Sequence, residues 1–269
     1  MQIQTFIVDA FSHEPFKGNP AGVCLLDAPL SEASMQQIAA ELRHSETAFI
    51  QLQPNAAGQW PIRYFTPATE VEFCGHATLA SAKVIIEKLQ KPEVKFLTRF
   101  NLALSARPVA AGVQMVFPLY DTVPFQVKPE TWAALGIHAV ANVRFNKELD
   151  MLLVEVADKA TLQRIQPDFK RLRQSDDRIK ELAVTTRSLD PEYDFYSRCF
   201  CPWLGIDEDP VTGAIHTVLA KYWGDQLGKQ QMKAYQLSER GGYLHLTIQP
   251  DALEVTSNAH IILEGQINL

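Results

Sequence analysis

The sequence predicts an α+β protein of two similar lobes, each with strands arranged around one buried helix, and three observations lead there. The first is an internal repeat. Arg63-Tyr-Phe-Thr-Pro67 and Arg198-Cys-Phe-Cys-Pro202 share the pattern Arg-x-Phe-x-Pro, and each leads through a short acidic connection to a glycine, Gly75 or Gly213. Counted from those glycines, Ala82 matches Ala220 and Lys83 matches Lys221. Such a repeat dictates architecture before any residue is given a role. The second observation is the apolar run after each glycine. Ala77, Leu79, Ala80, Ala82, Val84 and Ile86 leave almost no polar face, and a helix apolar nearly all round is a buried one. Gly213-Ala-Ile-His-Thr-Val-Leu-Ala-Lys-Tyr-Trp223 reads the same way. The third is that most of the remaining chain has strand character, rich in β-branched and aromatic residues.

In order along the chain, Ile3–Val8 reads as a strand, and Phe16-Lys-Gly-Asn-Pro-Ala-Gly22 as a turn segment before strand character resumes at Val23–Leu26. Ser31 is placed to cap a helix whose apolar stripe is Met35, Ile38, Ala39 and Leu42, ending near Arg43 and His44. Glu46–Ile50 and Ile62–Thr66 come next as strands, the second stopped by Pro67. Val94–Phe100 and Gly112–Phe117 are expected to form a hairpin closing the first lobe, and Pro118–Pro129 is the linker candidate. Beyond it a short helix is expected around Trp132–Leu135, with strands near Val140–Phe145 and Met151–Val156 and a solvated helical face from Lys159 to Lys180. Leu182–Arg187 and Phe195–Phe200 are strands leading into the second copy. Tyr243–Gln249 alternates apolar and polar as a half-buried strand does, and Ile261–Leu263 opens a last one.

The 269 residues suffice for two lobes with a core each. A net charge of −6 with no basic stripe argues against a nucleic-acid partner. The first residues lack the basic start and apolar core of a signal peptide, and no apolar run approaches the ~20 residues that cross a bilayer. A soluble cytoplasmic protein without a membrane partner is therefore expected. The four cysteines do not suggest a disulfide framework. Cys24, Cys199 and Cys201 are expected to be buried small hydrophobes, with the Cys199-x-Cys201 side chains on opposite faces of a strand and so not joint metal ligands. Cys74 differs, because it stands at a helix N-terminus, where a thiolate is stabilised. No phosphate-binding glycine fingerprint and no metal-ligand spacing is seen, so neither cofactor nor metal is expected.

Chemistry is read from a few residues. The helices starting at Gly75 and Gly213 each offer unpaired N–H groups and a positive dipole end, which suits a carboxylate held in a cleft between the lobes. Glu46 sits in an apolar context beside Ser45, where partial burial would let it exchange a proton near neutrality. The alternative is a solvent-facing Glu at a strand edge. His76 is placed to hydrogen-bond a substrate or to satisfy a polar contact in the core. Asp209, in the acidic lead to Gly213, is placed to face the first copy or simply to cap a helix.

Taken together, Gly18-Asn-Pro-Ala-Gly22, His44-Ser-Glu-Thr-Ala-Phe49, Phe65-Thr-Pro67 with Cys74-Gly-His-Ala-Thr78, and Glu208-Asp-Pro-Val-Thr-Gly213 resemble the phenazine-biosynthesis-like (PhzF-like) family, in the same order. That family is related in fold to diaminopimelate epimerase. The resemblance implies two pseudo-symmetric lobes, each a mixed β-barrel or roll around a central helix. The first would span 1–118, completed by 259–269, and the second 119–258. It also implies a cofactor-independent isomerase, expected as a homodimer, that moves a carbon-bound proton on a small amino- or hydroxy-carboxylate. By resemblance Glu46 is the acid/base, His76 and Asp209 complete the catalytic set, and Asn19, Ser45, Gly75, Gly213 and Ala214 bind substrate. The family's serine after the second glycine is replaced by Ala214, which keeps the backbone N–H and loses a hydroxyl contact. Two alternatives stand beside this reading. One is a carboxylate-binding protein that has lost turnover; the other is a thiol-dependent epimerase using Cys74.

Overall fold

The computed structural model describes residues 1–269 except His138. Its contacts divide the chain into two units, 1–116 with 254–269, and 117–253. In the first unit β1 (Gln2–Ala10) runs antiparallel to β2 (Asn19–Leu26). Helix α1 (Glu32–Leu42) starts where the Ser31 hydroxyl accepts from the Ser34 N–H, and it stops at Arg43 in the left-handed region. Its Met35, Ile38 and Ala39 pack on Cys24, Phe49 and Phe65. β3 (Thr47–Gln51) then lies parallel to β2, and β4 (Trp60–Phe65) antiparallel to β3. A short β5 (Glu70–Val71) folds back on β4 and leads to α2 (Gly75–Lys88). β6 (Val94–Thr98) returns parallel to β4, before the antiparallel β7 (Ala103–Val109) and β8 (Gly112–Pro118).

The second unit repeats this. After β9 (Val123–Pro124) and α3 (Pro129–Leu135) come β10 (Asn142–Asn146) and the antiparallel β11 (Met151–Glu155). Two short helices, α4 (Lys159–Arg164) and α5 (Phe169–Ser175), precede β12 (Glu181–Arg187), which is parallel to β11. β13 (Phe195–Cys201) is antiparallel to β12, β14 (Ile206–Asp209) folds back on β13, and α6 (Gly213–Leu227) comes next. β15 (Gln231–Gln236) is parallel to β13, with β16 (Gly242–Ile248) antiparallel beside it. The chain then re-enters the first unit through β17 (Ala252–Ser257) and β18 (Ala259–Asn268), the latter pairing antiparallel with β1. The fold is thus α+β and pseudo-symmetric, each unit a mixed β-roll around a central helix. α2 packs on β1, β2, β3, β6, β7 and β18, and α6 on β15 and β16.

The repeat extends to side chains that no linear spacing displays. Opposite Phe65 stand Thr47 on β3 and Glu70 on β5, and opposite Phe200 stand Leu182 on β12 and Glu208 on β14. In both units the repeat arginine makes a two-pronged bond to that glutamate: Arg63 to Glu70 at 2.7 and 2.6 Å, Arg198 to Glu208 at 2.8 Å twice. Each guanidinium also lies over the repeat phenylalanine, 5.1 Å from the Phe65 centroid and 4.7 Å from that of Phe200. A planar fork pinned to a carboxylate and stacked on a ring has little freedom, so these clamps fix the entry to each central helix.

Three expectations are corrected. Asn19-Pro-Ala-Gly22 is strand rather than turn, because it pairs with β1 from Asn19↔Ala10 onward. Pro20 is tolerated because pairing with β3 begins only at Gly22, so no ladder partner needs its missing N–H. The hairpin closing the first lobe has a third strand, β7, whose polar Ser105 and Arg107, followed by Pro108, mask its pattern. Cys199 and Cys201 share a face, as residues two apart on a strand do, and their thiols hydrogen-bond. No described helix is long and apolar enough to cross a membrane.

Candidate functional site

Cys74 closes the loop before α2 with extended backbone and caps nothing with its side chain. That leaves the second helical residue, His76, to project from the first turn into a buried position, 5% exposed. Its Nδ1 lies 3.2 Å from the Asn19 amide nitrogen and 3.3 Å from Cys74 Sγ. Its Nε2 lies 3.2 Å from Ser45 Oγ and 3.4 Å from Glu46 Oε2. Burial, with a smaller contribution from nearby His44, pushes the imidazole down to about 3, so the ring is neutral at neutral pH. An amide nitrogen only donates, so Nδ1 accepts and the ring carries its proton on Nε2, toward Ser45 and Glu46.

Glu46 occupies the step between α1 and β3, where its backbone carbonyl accepts from the Gly22 N–H at 3.2 Å. Its side chain is 14% exposed, which excludes the solvent-facing alternative. The first unit therefore gathers Asn19, Ser45, Glu46, Gly75 and His76 into one group, and adds Cys74 beside the imidazole. Glu46, Cys74 and His76 hold ligand atoms all within 4.8 Å of one another. A carboxylate, a thiol and an imidazole at that spacing suit a borderline cation such as zinc as well as proton transfer.

Asn19 depends on its neighbour. Gly18 has φ +70°, and a Cβ there would lie 2.0 Å from the Ala10 carbonyl oxygen. Gly18→Ala is expected to cost at least ~1 kcal/mol from the left-handed backbone alone, and more from the collision. Urea titration reads the loss, and the His76 imidazole NMR signals should shift with it as Asn19 is displaced.

The second unit gathers Asp209, Gly213 and Ala214 around the start of α6. Asp209 is 8% exposed and its Oδ2 accepts from the Thr212 hydroxyl. Gln236 holds both ends of this turn: its amide nitrogen donates to the Asp209 carbonyl at 2.7 Å, and its oxygen accepts from the Thr212 N–H at 2.9 Å. Sequence reasoning missed Thr212 and Gln236. The Thr212 position was visible as the residue before the repeat glycine; Gln236, on a later strand, had no signal.

Residues 8–266 match the family PhzC-PhzF, phenazine biosynthesis-like protein. The chain is 41% identical over 271 residues to an uncharacterized isomerase of Pseudomonas aeruginosa, covering all of both chains. A crystal structure of a phenazine biosynthesis PhzF-family protein from Enterococcus faecalis superposes with TM-score 0.90 at 35% identity, again over all of both chains. A predicted epimerase of Pseudomonas aeruginosa shares the fold at 19% identity, with TM-score 0.73 over 98% of this chain and 99% of that one. With its four motifs in order and the match running nearly end to end, the chain belongs to the PhzC-PhzF family of phenazine biosynthesis-like proteins.

Proposed function

We propose that the protein is a cofactor-independent isomerase that moves a carbon-bound proton on a small amino- or hydroxy-carboxylate, with Glu46 as the single acid/base. The observation that carries this reading is the partly buried Glu46 carboxylate 3.4 Å from Nε2 of a buried, neutral His76. A neutral N–H donor orients a carboxylate without cancelling its charge, and so leaves it able to accept a proton. Glu46 takes the proton from carbon, the electron pair left behind delocalises into the adjoining unsaturated system, and the same carboxyl returns the proton to another carbon on the same face. His76 and Asp209 position and polarise the substrate. Carboxylate binding is assigned to the backbone N–H groups at the helix starts, Gly75 in the first unit and Gly213 in the second, where Ala214 offers no hydroxyl. The relative named as an isomerase supports the reaction class.

A second reading rests on Cys74 Sγ, 3.3 Å from His76 Nδ1, as the base of a thiol-dependent epimerase. One experiment addresses both. Small amino and hydroxy acids are incubated in heavy water with the protein and with its Cys74→Ser variant, and deuterium at carbon is read by NMR. Incorporation that survives in Cys74→Ser is the expected result. A loss of about a thousandfold in that variant, on the order of deleting a group the chemistry depends on, would move the assignment to the thiol. Ligands that bind without any exchange would leave a binding protein.

A further inference from the structure

The paired registers of the two units single out a residue that the Glu46 group does not include. Phe65 and Phe200 are equivalent by the Arg-x-Phe-x-Pro repeat, and opposite them stand Thr47 and Leu182. In each unit a parallel strand lies next door, with Gly22 beside Thr47 and Leu152 beside Leu182. The residue before Thr47 is Glu46; the residue before Leu182 is Glu181. Both begin a Glu-x-Ala segment.

Glu181 shares a sheet face with Ala183 and Thr185, the face that α6 covers, since the Trp223 indole N–H donates to Thr185 Oγ1 at 2.9 Å. Ala183 stands opposite Cys199, and Cys199 opposite Asp209, so Glu181 and Asp209 look onto the same space. The titratable groups around Glu181 are Asp209 on β14 and Cys199 and Cys201 on β13; β11 presents the uncharged Met151 opposite it.

Buried polar atoms of the second unit are under-satisfied. Glu181 Oε2, Ser197 Oγ and His216 Nε2 are shielded from solvent with no hydrogen-bond partner, and Ser197 and His216 are fully buried. The first unit fills the matching positions differently, with Ile62 for Ser197 and a Tyr64–Thr78 hydrogen bond of 2.6 Å for Cys199 and His216. A charged carboxylate with a shielded, unbonded oxygen is costly, and a proton removes that cost.

We propose that Glu181 is the second unit's counterpart of Glu46 and holds a proton beside Asp209, acting as a positioning residue that sets the charge Asp209 presents to a substrate carboxylate. Only the last clause rests on the proposed isomerase reading. Burial, and then the Asp209 charge, push the Glu181 carboxyl up to about 7, in keeping with that placement.

The test is a carboxyl-carbon NMR titration of the full chain labelled at Asp and Glu side-chain carboxyls. Glu181 is expected to titrate near pH 7, and Asp209 to show an inflection at the same pH that vanishes in Glu181→Gln. In Asp209→Asn the Glu181 titration should move to lower pH, which keeps the test decisive if Glu181→Gln does not fold. A Glu181 that titrates in the ordinary carboxylate range, an Asp209 signal without the inflection, or a Glu181 titration unmoved in Asp209→Asn would each overturn the proposal. None of these readouts needs turnover, so failure of the Glu46 assignment, seen in exchange kinetics, stays distinguishable.

Discussion

Glu46→Gln is expected to lower enzyme-dependent deuterium exchange by at least ~10²-fold while leaving the carboxylate affinity within a few-fold of wild type. Gln has the size of Glu and can still meet the Nε2 proton of His76 through its amide oxygen, so the group of Asn19, Ser45 and His76 stays assembled. What Gln lacks is a basic oxygen to take a proton from carbon. Substrate affinity is assigned to the backbone donors at Gly75 and Gly213, which the change does not touch. The two readouts therefore separate: exchange falls and binding holds. Exchange at the wild-type rate in Glu46→Gln would remove Glu46 from the mechanism.

The second large effect is on stability against pH, where buried groups of opposite sense compete. Burial holds His76 down to about 3 and His216 to about 4, against an unfolded value of 6.5. Each binds fewer protons folded than unfolded, so its contribution is complete above pH 6.5 and is lost as pH falls toward its folded value. At pH 5 that is about 2 kcal/mol per histidine. Glu181 has the reverse sign. Raised to about 7, it binds more protons folded than unfolded, and it favours the folded state as pH falls from 7 toward 4.5, by about 2.5 kcal/mol at pH 5. The wild-type change between about pH 7.5 and 5 is therefore the small remainder of opposing effects. Urea titrations of single variants at both pH values separate them. His76→Gln and His216→Gln should each gain about 2 kcal/mol at pH 5 relative to their own change at about pH 7.5, and Glu181→Gln should lose about 2.5. Equal changes at the two pH values in the histidine variants would mean that those rings titrate normally.

The central helices were the most legible feature, because burial on nearly all sides leaves a run without a charged residue over the first two turns of each. Arg-x-Phe-x-Pro was legible as a repeat, but its purpose was not: Glu70 lies seven residues after Arg63 and Glu208 ten after Arg198, so the matching clamps have no common spacing. Glu46 and His76 were found through their motifs, and the fold brings them within 3.4 Å although thirty residues separate them. β7 and the start of β2 were missed because proline and exposed polar residues hide a strand whose pairing partners alone define it. Glu181 shared Glu-x-Ala with Glu46, a signal too short to weigh until strand register placed both residues one step before equivalent pairs. The Cys199–Cys201 contact needed only the two-residue period of a strand, correctly applied.

The pairing of β1 with β18, from Gln2↔Asn268 to Ala10↔Ala259, joins stretches more than two hundred residues apart. It gives the two similar units unequal folding histories. The second is built from one contiguous stretch, 117–253, so every strand it needs is available once that stretch has been made. The first has β1 and β2 from the outset but must wait through the whole of its twin for the strand that covers the outer edge of β1. Until then an edge of nine residues stands without its final partner, and such an edge invites wrong pairings. Closing so long a loop is slow because its entropy is lost before the contacts form. The ladder that completes the first unit is thus also the longest-range strand pairing of the fold.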